Sequence, residues 1–131
     1  MQYRSALLIP AGTLADAPAE SELSICYGRL KRYVLFFPAG HAGKAHVQVW
    51  YHGRQILPTT LGSSFLGDDL VIDSPDGYPL FDGPYELLLR GWAPDATYDH
   101  IVYCQFYIEA DLLTLPAALG SQSVEIPVFE E

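Results

Sequence analysis

The chain has 131 residues, half of them apolar and 18% charged, which suits one domain with its own core and excludes a disordered segment. A net charge of −9, with seven scattered basic residues, argues against binding to nucleic acid or to an anionic membrane. No apolar run reaches the roughly 18 residues that span a bilayer, and Met1-Gln2-Tyr3-Arg4 lacks the basic-then-apolar layout of a secretory signal.

In chain order, strands are expected over 3–9, 22–28, 30–37, 45–52, 54–57, 69–73, 84–91, 98–109 and 123–129. Between them lie turn signals such as Pro10-Ala11-Gly12, Pro38-Ala39-Gly40, Asp76-Gly77, Asp82-Gly83-Pro84 and Ala93-Pro94-Asp95. Helical periodicity is almost absent; 111–120 has room for one short turn, which Pro116 limits. The expected fold is all-β: a single antiparallel β-sandwich over 1–131, jelly-roll or immunoglobulin-like, with eight or nine strands. The segments 1–21 and 111–131 differ from the middle and read as extended arms. Pro127 puts the late strand at an edge, either closing the sandwich or adding to a neighbouring subunit's sheet.

Two runs alternate cleanly. In 45–52, Val47, Val49 and Tyr51 share one face while His46, Gln48, Trp50 and His52 share the other. In 98–109, Val102, Cys104, Phe106 and Ile108 oppose Tyr103, Gln105, Tyr107 and Glu109. Read as a strand pair, they make one sheet with a core side and a contact side. Val47, Val49, Leu87, Leu89, Val102, Phe106 and Ile108 are the expected core. Tyr33-Val34-Leu35-Phe36-Phe37 is apolar without alternation, as a strand buried on both faces would be. Cys26 and Cys104 sit among apolar neighbours and read as free buried thiols, with a bridge between sheets as the alternative.

Catalytic and metal patterns are weak. His46 and His52 share a strand face but stand about 20 Å apart, too far for one ion. Asp99 and His100 are adjacent in a strand and point to opposite faces, so that pair is not preformed. Ser63 and Ser64 lack nucleophile-elbow spacing. Asp68, Asp69, Asp73 and Asp76 are candidate calcium ligands or, more simply, solvated turn carboxylates. No enzyme activity, resident metal or cofactor is expected.

Aromatics make the stronger case: nine tyrosines, six phenylalanines and two tryptophans. The candidate interface is Trp50, His46, Gln48, Tyr103, Gln105 and Tyr107, with Arg54 and Arg90 as polar anchors; a salt bridge is the other role for Arg90. Three coverings fit this surface: a second copy of the chain, a sugar ring stacked on the aromatics, or the chain's own terminal segments.

The series Phe36-Phe37-Pro38-Ala39-Gly40-His41-Ala42-Gly43, His46-Val47, Gly53-Arg54-Gln55-Ile56-Leu57-Pro58, Asp68-Asp69, Pro84-Tyr85-Glu86-Leu87, Gly91-Trp92 and His100 resembles small β-sandwich structural proteins of tailed bacterial and archaeal viruses. The likeness covers about residues 30–108 and rests on turn glycines, prolines and core aromatics. It implies a virion component assembled in the host cytoplasm: a capsid decoration subunit, or a tail or spike accessory subunit. The implied partners are copies of the chain, a trimer among the options, and other virion proteins, with no nucleic acid and no membrane. The competing expectation is a carbohydrate-binding module or host-adhesion domain that takes a glycan on the aromatic face. A cupin-like enzyme is a distant third, because the histidine spacing supplies no metal cluster.

Overall fold

Strands in which buried and open positions alternate give this chain two sheets facing one core. The structure, a computed structural model, describes residues 1–40 and 43–110. Its strands are β1 (Gln2–Ile9), β2 (Ala19–Ser24), β3 (Gly28–Phe37), β4 (His46–Tyr51), β5 (Arg54–Leu57), β6 (Leu70–Leu80), β7 (Glu86–Trp92) and β8 (His100–Glu109). One sheet runs β1-β8-β3-β6 and the other β2-β7-β4-β5, all antiparallel.

The pairings β1–β8, β2–β7, β3–β6 and β4–β5 are those of one long hairpin folded back on itself. Rolling that hairpin joins β8 to β3 and β7 to β4, which closes two four-stranded sheets. This is the jelly-roll order, not the immunoglobulin-like one.

The core lies between the sheets. Leu7, Leu35, Phe37, Val47, Val49, Leu87, Leu89, Val102, Phe106 and Ile108 are all buried there, including every residue expected from alternation. At the corner where β1 leans over β7, Leu7 and Ile9 fill the space that a side chain at Gly91 would need.

Several expectations change. Residues 1–21 are not an arm, because β1 and the start of β2 are built into the two sheets. The strand expected at 22–28 lies at Ala19–Ser24, with Glu20 and Glu22 turned outward. The strand expected at 69–73 continues to Leu80, carrying Pro75 and Pro79 along an edge where missing donors cost nothing in the ladder. The strand expected at 123–129 and the arm at 111–131 lie outside the described residues.

Both cysteines are free; Cys26 is half-buried beside Tyr3, and Cys104 is buried on β8. Burial pushes the Cys104 thiol up to about 12, leaving almost no thiolate at neutral pH. Alkylation of the folded protein at mildly alkaline pH is therefore expected to label Cys26 and spare Cys104 until denaturant is added. Stoichiometric labelling of Cys104 in the folded protein, read by peptide mass spectrometry, would contradict its burial.

Candidate functional site

The two alternating runs do not form one surface. β4 belongs to one sheet and β8 to the other, so their polar-aromatic sides face away from each other across the core. Trp50, His46 and Gln48 lie on the outer face of the β2-β7-β4-β5 sheet. Tyr103, Gln105 and Tyr107 lie on the outer face of the β1-β8-β3-β6 sheet. Arg54 is exposed at the β4–β5 turn, where it pairs with Tyr51 and so belongs to the face opposite Trp50, beside Tyr78 and Phe81. The single aromatic platform expected from sequence is not assembled, because alternation assigns a residue to a face and is silent on which sheet owns it.

The outer face of β4 is largely closed by the chain itself. Gln48 is 6% exposed, and its Nε2 donates to the Ser63 carbonyl at 2.8 Å while its Oε1 accepts from Trp50 Nε1 at 2.9 Å. His46 stacks on Trp92 at 5.5 Å and bonds Ser64 at 2.9 Å; burial lowers its pKa. The Arg90 guanidinium covers the Trp50 ring at 4.7 Å. Its Nε lies 3.1 Å from Glu20 Oε2, a charge contact whose angle makes no hydrogen bond. Arg90 is thus a salt-bridge partner and a lid on Trp50.

Gln55, which sequence reading passed over, fastens the covering loop. Its buried Nε2 meets the carbonyls of Pro58 (2.8 Å), Thr60 (3.2 Å) and Ser63 (3.0 Å), and its Oε1 accepts from Gly62 N–H at 3.1 Å. A glutamine beside a Pro-Thr-Thr-Leu-Gly-Ser loop was the available signal. Gln55→Ala is expected to cost about 2 kcal/mol, since it strands several loop backbone groups. Thermal unfolding and faster hydrogen exchange over 59–64 check this; unchanged exchange there would contradict the anchoring role.

The outer face of the β1-β8-β3-β6 sheet is different. Cross-strand register builds it in rows: Gln2–Tyr107–Arg32–Pro75, then Arg4–Gln105–Val34–Asp73, then Ala6–Tyr103–Phe36–Val71, with Leu8–Ile101 beyond. The first rows are mainly polar, and several of their side chains bond one another. Arg32 makes a bidentate bond to Asp73 (2.7 and 2.6 Å) and sits 4.8 Å over the Tyr107 ring; Tyr107 Oη donates to Gln105 at 3.1 Å. The Arg32 guanidinium lowers the Asp73 pKa, and Asp73 raises that of Arg32.

The remaining rows are apolar and open. Leu8 is 52% exposed, Tyr103 47% and Val71 55%, with Ile101 beside them. Tyr103 stacks on Phe36 at 6.1 Å, which holds its ring flat on the sheet. A shallow groove of about 610 Å³ runs between Ala6, Val34, Phe36, Val71 and Tyr103, with Arg4 and Gln105 at its polar end. The run Tyr33–Phe37 explains this face. It alternates after all: Tyr33, Leu35 and Phe37 enter the core, while Val34 and Phe36 point out. The burial on both faces expected from sequence therefore does not hold for Val34 and Phe36.

The other candidates disperse. His52 lies past the end of β4 against the Asp82 carbonyl (2.8 Å), well away from His46; His41 is outside the described residues. Asp99 accepts from Ala11 N–H at 2.9 Å, whereas His100 is buried on the inward face. Asp68 binds Gly40 N–H (2.8 Å), Asp73 binds Arg32, and Asp76 binds the neighbouring Gly77 N–H (2.7 Å). Among the described residues no three acidic, histidine or cysteine side chains gather as an ion would require. The chain matches no protein-family model and no curated protein.

Proposed function

We propose that the protein is a non-enzymatic structural subunit that docks through the apolar outer face of its β1-β8-β3-β6 sheet onto a flat apolar surface of a larger protein assembly. The observation that carries this reading is the open cluster of Leu8, Ile101, Tyr103, Phe36 and Val71 beside a polar margin in which Arg32 and Asp73 are paired with each other. An apolar centre with a polar rim is the anatomy of a protein contact. A rigid sheet presents it without ordering loops on binding, so little conformational entropy opposes the contact.

The assembly we propose is a virion, with the chain as a decoration or accessory subunit. That part of the reading is supported by the sequence resemblance over residues 30–108. Its role there is mechanical: burying apolar area across a subunit boundary raises the cost of rupturing the particle.

Particles purified by density gradient from the source culture test this. The chain is expected to co-sediment with them in a fixed ratio to the major shell subunit, measured by mass spectrometry. Recovery only among the slow-sedimenting soluble proteins would overturn the assignment. For the glycan alternative, the Trp50 side offers a cleft of about 190 Å³ lined by Glu22, Glu86 and His52. Saturable glycan quenching of tryptophan emission would favour it instead.

A further inference from the structure

Among the described residues, three of the four sheet edges carry a clear device that discourages another strand from adding, and the fourth carries only a single charge, Arg4. β6 is interrupted by Pro75 and Pro79. β5 is only Arg54–Leu57 and runs into Pro58. β2 turns Glu20 and Glu22 outward along its length. Short strands, charge and proline are the usual protections of an edge.

Among the described residues β1 is the least protected of the four. Gln2–Ile9 contains no proline or lysine and keeps unbroken register with β8, from Gln2 opposite Tyr107 to Ile9 opposite His100. Arg4 is its one charged residue. Among the described residues β1 is bonded to a strand on one side only.

We propose that β1 pairs antiparallel with β1 of a second copy about a two-fold axis, joining two four-stranded sheets into one that runs through the dimer. A two-fold normal to the sheet sets outward residues against outward residues, so only registers that preserve the faces are allowed. Centring on Ser5 would place the two Arg4 side chains diagonally adjacent, within reach of each other. Centring on Ala6 sets Arg4 against the partner's Leu8 and Tyr3 against the partner's Ile9, and it separates the arginines. The second register keeps nearly the whole strand paired, from Tyr3 to Ile9.

The inference rests on the edge and stands whether or not the outer face docks on a virion. If both hold, the apolar rows of the two copies lie side by side across the axis, and two docking surfaces act together.

Light scattering after gel filtration of the full chain tests it. The wild type is expected to reach twice its 14.5 kDa mass as concentration rises. Ala6 is exposed, so Ala6→Lys and Ala6→Glu leave the fold intact by circular dichroism but set like charges opposite each other at the axis. Each variant alone is expected to run as a monomer, and mixing the two restores the dimer. In the wild type, hydrogen exchange of β1 amides slows as concentration rises. A wild-type monomer, a trimer, a dimer untouched by both charge variants, or β1 exchange independent of concentration would each overturn the proposal.

Discussion

Replacing Gly28 by alanine lowers the stability of the protein by about 3–5 kcal/mol, enough to move its melting point down by roughly 10–15 °C. Two independent causes act together. Gly28 has φ +155°, a backbone conformation that side-chain-bearing residues rarely adopt. A Cβ there would overlap the carbonyl oxygen of Glu109 and lie 2.8 Å from its carbonyl carbon and 3.0 Å from Ala110 Cα. These are backbone atoms at the end of β8, so relief requires moving a strand, not a rotamer. β3 and β8 are the two inner strands of the β1-β8-β3-β6 sheet, and Gly28 lies against the end of β8 at Glu109. Gly62 supplies the control: its φ is +84°, but an added Cβ meets nothing within 4 Å. Gly62→Ala should therefore cost only the conformational part, about 1 kcal/mol. Thermal unfolding of both variants checks the comparison, and equal losses would show that the Glu109 contact carries no weight.

Much of this architecture is legible in the chain because burial follows a period of two. Val47, Val49, Val102, Phe106 and Ile108 could be placed in the core from alternation alone, and each is buried. β2 was harder to place: its inward residues Ala19, Ser21 and Leu23 are mostly small, while apolar Ile25-Cys26-Tyr27 just beyond drew the expected strand downstream. In β6, Pro75, Asp76-Gly77 and Pro79 look like punctuation, yet an edge strand tolerates them because half its backbone groups face solvent. Sheet membership was out of reach. β1 pairs with β8 across nearly the whole described chain, and no local pattern encodes which distant strand a given strand will meet. That is why alternation alone groups Trp50 with Tyr103 and Tyr107, and why the open apolar face built by β1, β8, β3 and β6 becomes visible only in three dimensions.

The second large effect concerns that face. Val71→Lys combined with Tyr103→Lys is expected to weaken docking a hundredfold or more while leaving the fold unchanged. Both side chains are about half exposed, so neither substitution opens a cavity or breaks a ladder bond. In the docked state both would lie under the partner, where an ammonium group without a counter-charge is costly and where Tyr103 would have acted as the aromatic anchor. Truncating one such anchor typically costs at least about 2 kcal/mol, and each 1.4 kcal/mol is tenfold in affinity. Trp50→Ala, on the opposite and largely covered face, serves as the matched control and is expected to leave docking within a factor of about 3.

The most direct test is to incubate labelled wild-type, Trp50→Ala and Val71→Lys/Tyr103→Lys chains with purified particles stripped of the endogenous protein. Particle-bound label is then measured against concentration. Saturable binding of the wild type and the tryptophan variant, with at least a hundredfold loss for the double lysine variant, is the predicted result. Equal binding by all three chains, or a loss confined to Trp50→Ala, would contradict docking through the β1-β8-β3-β6 face.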